Sequence, residues 1–383
     1  MLFHSWLRSL RSVLTLRAAE GQCGRRPMPT LATYRPRLEV LEDRTAPAVL
    51  TVNSNIDTAN ASDTYLSLRE AIAIVNSSTL PSGLSPQILG QISGTLHGNG
   101  SDSILFNLNR PITLGGSQLE LSLPSAMATI TIDGGTAGVT VDGNQANLIL
   151  LVDSGVQADL THLTLQNGAG GIDNEGGTIT LQDCQITHNT AFLAGGIYNN
   201  QGSVTLTDTS ITFNSASTGN GLAGGLLNEG GDVQMTNCVV ASNSAASDGG
   251  GIYNTGEFLF SGPIVGIHDV VNGTLTLTNC TVSGNHADGS GGGLVNAFPP
   301  DVHVWNLYRP GEPFPATMTL SGCTLDRNMA GGNGGAAAVF AGSLTMTACT
   351  LNGNSAYQYG GGMYIDPAVA TIISSTISGN SAP

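Results

Sequence analysis

Thr274-Leu275-Thr276-Leu277-Thr278-Asn279-Cys280-Thr281-Val282-Ser283-Gly284-Asn285 is the stretch that decides the fold of this chain. Leucine alternates with threonine through Leu277, the phase slips by one position at Cys280, and the alternation resumes at Val282. Period-two alternation closed by Gly and Asn is the pattern of short strands joined by tight turns. The end of the stretch, an aliphatic residue followed three positions later by Asn, occurs seven times: Ile186–Asn189, Ile211–Asn214, Val240–Asn243, Val282–Asn285, Leu325–Asn328, Leu351–Asn354 and Ile377–Asn380. Two residues before each aliphatic stands a small side chain: Cys184, Thr209, Cys238, Cys280, Cys323, Cys349 or Ser375, at spacings of 25, 29, 42, 43, 26 and 26. A phrase recurring at such intervals marks a repeat architecture.

Strands that return once per repeat pair with their own copies above and below, with layers about 4.8 Å apart. The expected fold is therefore all-β: a right-handed parallel β-helix, a single-stranded solenoid of about 25 residues per coil. Stacked in register, Asn189, Asn214, Asn243, Asn285, Asn328, Asn354 and Asn380 form a structural ladder, each amide bonding to the next. Asn also tolerates the left-handed backbone of a sharp turn. The aliphatic positions stack inward as a continuous core. Glycine pairs such as Gly195-Gly196 and Gly250-Gly251 suit corners where φ is positive or two backbones approach closely. Weaker strand patterns at 103–106, 112–114, 128–132 and 139–141 extend the solenoid toward the N-terminus.

The chain has 383 residues, 52 of them Gly, and only 10% are charged. It contains no Lys. Eight of its twelve Arg precede residue 45; beyond residue 44, four Arg face 23 acids, a balance of −19. A phosphate backbone needs a basic face, so nucleic acid is not an expected partner. The acidic surface leaves calcium and cationic partners open, though no cofactor motif is present and no resident metal is expected. Five of the six Cys share one repeat position with Thr209 and Ser375. Their side chains would point the same way on stacked strands, which does not suit disulfide geometry, so they read as a column of free core thiols.

The front of the chain differs. Residues 1–44 are basic, with a short apolar stretch at 12–16 that is too brief to span a membrane, and no later run is long enough. Arg35-Pro36-Arg37-Leu38-Glu39-Val40-Leu41-Glu42-Asp43-Arg44 resembles the Leu-Glu-x-Leu-Glu-x-Arg export leader of planctomycete secreted and surface proteins. That resemblance implies an extracytoplasmic location, secreted or at the cell surface. In the following region, 45–100, a strand at Leu50-Thr51-Val52 precedes Ser67-Leu68-Arg69-Glu70-Ala71-Ile72. Leu68, Ile72 and Val75 recur at helical spacing, and Ser67 with Glu70 makes a capping box. A short helix there would cap the first coil, with Arg69 and Glu70 forming a local ion pair or bonding to backbone. The phrase resembles the CSLREA domain of bacterial surface proteins, with Leu66 in place of its Cys.

The repeats resemble those of polymorphic outer-membrane proteins, built on Gly-Gly-x-aliphatic and Phe-x-x-Asn motifs. Gly195-Gly196-Ile197, Gly224-Gly225-Leu226, Gly250-Gly251-Ile252, Gly292-Gly293-Leu294 and Gly361-Gly362-Met363 carry the first; the seven aliphatic-x-x-Asn phrases carry the second, without its Phe. The resemblance implies a β-helix at the cell surface with an adhesin-like role.

Within the β-helix at 101–383, two units are long, with insertions at 257–272 and 297–316 that would emerge side by side. The first brings His268 and Asp269. The second brings Phe298, Asp301, His303, Trp305, Tyr308, Arg309 and Phe314. Aromatic residues on loops over a rigid scaffold suit a binding surface for polysaccharide or cell-envelope components. No residue is assigned a catalytic role. The alternative is a lyase or glycoside hydrolase of the pectate-lyase-like type, for which the stacked Asp183 and Asp208 are the nearest carboxylate pair, with Asp248 and Asp288 a second acidic spot. Asn380 is followed only by Ser381-Ala382-Pro383, so the last coil is expected to present strand edges for self-association.

Overall fold

A computed structural model describes residues 46–77, 79–97, 101–122, 129–217, 221–260, 267–298 and 316–383, with backbone alone for 258–260 and 267–270. The leader lies outside the described residues. The chain from Val49 onward is a parallel β-helix with four sheets of 12, 10, 9 and 6 strands, here sheets I to IV. One coil runs through Thr178–Gln182 in sheet I, Gln185–Thr187 in sheet II, Thr190–Ala191 in sheet IV and Ile197–Asn200 in sheet III. The next begins at Ser203–Thr207, back in sheet I. Neighbouring strands pair parallel and in register, Thr178 opposite Ser203 and Gln182 opposite Thr207. The fold class read from the repeat is thus the one observed.

Alternation sets what is inside. In Thr178–Gln182, Ile179 and Leu181 are buried while Thr178 and Gln182 are exposed. Stacking repeats this in every layer, so Ile186, Ile211, Val240, Val282, Leu325 and Leu351 form one fully buried file. Each such side chain withdrawn from water contributes about 1.5–3 kcal/mol. Cys184, Cys238, Cys280, Cys323 and Cys349 are buried and free, with Thr209 in the same file. Burial pushes the Cys184 thiol up to about 11, so it packs as a neutral side chain.

The corners correct one expectation. The left-handed residue is not the ladder Asn but the one before it: His188, Phe213, Ser242, Gly284, Arg327, Gly353 and Gly379 all have φ between 53° and 65°. A second left-handed corner precedes the small-residue file, at His162, Asp183, Asp208, Asn237, Asn279, Gly322, Ala348 and Ser374. Each corner turns the chain and moves the alternation by one step, which is the slip seen at Asn279-Cys280. The ladder Asn can then point inward. Asn243 Nδ2 donates to Asn285 Oδ1 at 3.0 Å and to Ile211 O at 2.9 Å, while its Oδ1 accepts from the Asn214 backbone N at 2.9 Å and Asn214 Nδ2 at 3.1 Å. The same bonds run from Asn189 to Asn380. Every donor and acceptor of an interior rung is used, which is what a buried amide requires.

A second ladder, not anticipated, runs through sheet III. Asn174, Asn199, Asn228, Asn254 and Asn296 are fully buried, each amide donating to the next at 2.7 Å. It stops where the aligned residues become Val152 and Val339. The glycine pairs serve the close approach of coils: a Cβ on Gly225 would collide with the carbonyl of Gly251 in the next layer.

At the N-terminal end, Ser67 caps helix α1 (Leu68–Val75) with the expected box, and Leu68, Ala71, Ile72, Ile74 and Val75 join the core. Glu70 accepts from the backbone N of Ser67 and Asn60 at 2.9 and 2.6 Å. Arg69 pairs instead with Asp57, through two bonds of 2.8 Å, and donates to the carbonyls of Ser117 and Gln118. It thereby clamps the helix to the turn of the first coils. A short helix α2 (Pro86–Leu89), invisible in the periodicity, follows. Among the described residues no helix is long and apolar enough to cross a membrane.

Candidate functional site

The two insertions leave and re-enter neighbouring layers. Thr255 lies opposite Ala297 at the end of paired sheet III strands, and Gly273 lies opposite Ala316 at the start of paired sheet I strands. Glu257–Phe260 and Ile267–Val271 form an antiparallel hairpin. His268 is the extra residue of a bulge in it, since Asp269 pairs with Leu259 and Ile267 with Phe260. The side chains of His268 and Asp269 lie outside the described residues, as do Asp301, His303, Trp305, Tyr308, Arg309 and Phe314 entirely. Phe298 is half-buried, and its carbonyl accepts a hydrogen bond from the Tyr253 hydroxyl at 3.3 Å.

Beneath the roots of these insertions the outer face of sheet III is apolar. Register places Asp173, Tyr198, Leu227, Tyr253, Val295, Ala338 and Tyr364 in one outward file. On an exposed face such positions would be polar. Here Leu227, Tyr253 and Val295 are 1%, 3% and 0% exposed and pack with Ala194, Leu222, Ala223 and Ala297 as a second core. Burial, then the nearby charges of Asp248 and Glu229, pushes the Tyr253 hydroxyl far above its ordinary range, so it remains a donor.

Towards the N-terminal coils the same flank becomes acidic. Tyr198 donates to Glu229 Oε2 and Asn200 to Glu175 Oε2, each at 2.7 Å. Asp173 Oδ1 and Glu257 Oε2 are buried without a hydrogen-bond partner. Burial, reinforced by Glu175, raises the Asp173 carboxyl to about 6, and burial followed by Glu229 raises Glu257. An open groove of about 400 Å³ runs past Gly177, Gln201, Gly202, Gly231 and Thr274 beside this flank. Chemically, the flank pairs a carboxyl raised to about 6 with Glu175 two residues along the same strand. Sequence reasoning did not single it out. Its signal was the adjacent apolar pairs Leu226-Leu227, Ile252-Tyr253 and Leu294-Val295, which break alternation because both faces are buried.

Asp183 and Asp208 do occupy successive layers of one corner file, both exposed. They stand beside His162, whose Nδ1 lies 2.9 Å from Asp133 Oδ1 and whose Nε2 lies 3.9 Å from Asp183 Oδ2. Asp248 and Asp288 each have a local partner. Asp248 accepts from the Ser290 backbone N at 2.5 Å, and Asp288 lies 3.0 Å from His286 Nε2. Among the described residues no group of three or more His, Cys, Asp or Glu is placed to hold a metal.

No family model matches the chain, and a search among curated proteins gives no match.

Proposed function

We propose that this chain is an exported β-helix of the cell surface or extracellular space, a rigid rod that presents a glycan-binding surface on the insertion-bearing flank of sheet III. The observation that carries the reading is the register of Thr255 with Ala297 and of Gly273 with Ala316. It roots two insertions, one of them holding Trp305, Tyr308 and Phe314, on adjacent layers above a flank whose outward residues are apolar. Rigid coils fix the spacing of the roots, and aromatic side chains suit the apolar faces of sugar rings. The leader and the Gly-Gly-x-aliphatic repeats support export and an adhesin-like role. The test is tryptophan fluorescence of the full chain and of a Trp305→Phe variant, titrated with a polysaccharide panel with and without calcium. Quenching that disappears in the variant supports the reading; full-length quenching unaltered by it removes the insertions from the site.

A second reading rests on Asp173. A carboxyl raised to about 6 on the same strand face as Glu175 gives the acid and base roles of glycoside hydrolysis different environments. New reducing ends from a polysaccharide, abolished by Asp173→Asn, would favour a hydrolase over a binding module.

A further inference from the structure

We propose that a second glycan site lies on the outer face of sheet II, across the strands Leu163–Gln166, Gln185–Thr187 and Ser210–Thr212, and that it selects linear glycans bearing amino groups. The inference rests on the glycan-binding reading above but places the contact on a different sheet, away from the insertions.

Two edges define the face. One is the corner file of His162, Asp183 and Asp208, bordering an open groove of about 250 Å³ that Gln185 also lines. The other is the next corner along, where His188 and Phe213 stack with ring centroids 5.1 Å apart and planes 17° from parallel. Phe213 is 55% exposed in a left-handed conformation, with φ 55°. A bulky aromatic is a poor choice for that left-handed backbone. Its counterparts in the following layers are Ser242, Gly284, Arg327, Gly353 and Gly379. The scaffold therefore does not require an aromatic there, whereas a sugar ring stacking on it does.

The opposite edge sets the charge. Among the described residues no arginine pairs with Asp133, Asp183 or Asp208; the basic side chain beside Asp133 and Asp183 is the His162 imidazole. Carboxylates on successive layers suit ammonium groups spaced along a chain and repel uronate chains. Between the edges, Gln185 and the Thr187 and Thr212 hydroxyls, 3.2 Å apart, offer the donors and acceptors that sugar hydroxyls need. The edges are separated by a full strand, so the ligand is a chain and not a single sugar.

The solenoid supplies its own controls. Phe213→Gly copies Gly284, and Asp183→Asn with Asp208→Asn copies Asn237 and Asn279, so each change installs a residue the same corner already carries elsewhere. Isothermal titration of the full chain would use a glucosamine hexamer, cellohexaose and hexagalacturonate. The expected order is glucosamine hexamer, then cellohexaose, with hexagalacturonate unbound. Phe213→Gly should weaken both bound ligands about tenfold. The double Asn variant should weaken only the glucosamine hexamer, and remove its salt dependence. Thermal unfolding should be unchanged in both variants. Binding lost in Trp305→Phe but intact in Phe213→Gly would overturn this site and keep the insertion flank. Binding of none of the three glycans would overturn this site, while the insertion flank stands or falls by the polysaccharide panel and Trp305→Phe.

Discussion

Replacing one rung of the Asn ladder separates a hydrogen-bonded scaffold from a merely small, polar column, and Asn243 is the rung to change. In Asn243→Ala, the Asn214 backbone N–H and one Asn214 amide proton lose their acceptor, and Ile211 O loses its donor. All three are buried, and each unsatisfied group costs about 1–3 kcal/mol, so a loss of about 3–5 kcal/mol follows after partial relaxation. Asn243→Asp keeps the shape and keeps the oxygen that accepts from Asn214. Its second oxygen, however, faces Ile211 O and Asn285 Oδ1 at the 2.9 and 3.0 Å once spanned by N–H groups. The carboxyl avoids that repulsion by holding a proton, which restores one of the two donors. Its pKa in the fold is therefore raised above the unfolded value. For such a group stability is fully present below the unfolded pKa and is lost as pH rises through the folded one. With a shift of about 3 units, the cost between pH 4 and pH 8 grows by about 4 kcal/mol. The aspartate variant should then be the more stable of the two at pH 4 and the less stable at pH 8. Urea unfolding at both pH values reads this, with hydrogen exchange at the layers of Asn214 and Asn285 to localise it. Asn279→Asp is the control, since the same exposed corner already holds Asp183 and Asp208, and it should lie within about 0.5 kcal/mol of the parent. Parallel behaviour of the Ala and Asp variants at the two pH values would falsify the ladder as the source of rigidity.

Other consequences can be measured alongside it. For Asp57, burial alone would raise the carboxyl, but Arg69 and the N–H groups of Gly115 and Gly116 outweigh it and hold it below its ordinary 3.8. Its contribution is therefore present above the unfolded pKa and lost as pH falls through the folded one. Arg69→Ala should cost about 2–3 kcal/mol at pH 7, because the guanidinium is partly exposed, and less at pH 2.5; faster exchange confined to the first coils would locate the effect. Asp173 has the opposite sign: raised to about 6, it weakens the fold as pH climbs through that value. Asp173→Asn should stabilise at pH 8 by about 1 kcal/mol, discounted for solvent screening, and leave pH 4 unchanged. The five buried thiols should resist a thiol reagent in the folded state and react together on unfolding. Cys280→Thr, which copies Thr209, should cost under about 1.5 kcal/mol in denaturant titration.

The parallel β-helix was legible because its period is enforced in every layer. An aliphatic residue, two positions and a buried Asn must recur wherever the coil turns in the same way. What the repeat hid has three physical causes. The two-residue strands of sheet IV, such as Thr190–Ala191, are too short to show alternation. The left-handed corners accept Asp, His, Phe, Ser, Ala and Arg as well as Asn and Gly, so side-chain identity does not announce them; only the slip in phase at Asn279 does. The second ladder covers five layers and gives way to Val152 and Val339, so Asn199 and Asn254 read as turn residues.

The candidate sites follow a different logic from the fold. In a solenoid, a column of equivalent residues reports what the scaffold needs, and a residue that breaks its column reports something else. Cys, Thr and Ser share the small-residue file, and by that measure carry no message. The stacked pair His188 and Phe213 breaks a column that is otherwise Ser, Gly and Arg at a left-handed corner, where Phe213 is exposed. Asp173 interrupts the apolar run of an outward file that goes on as Tyr, Leu, Tyr, Val and Ala, and keeps an unpartnered oxygen there. Motif searches reward recurrence and so select the ladder, the most repeated feature and the least reactive. Reading each column for its exception reverses that bias. It picks out the sheet II corner and the acidic end of sheet III, the two places where the chain departs from what stacking alone demands.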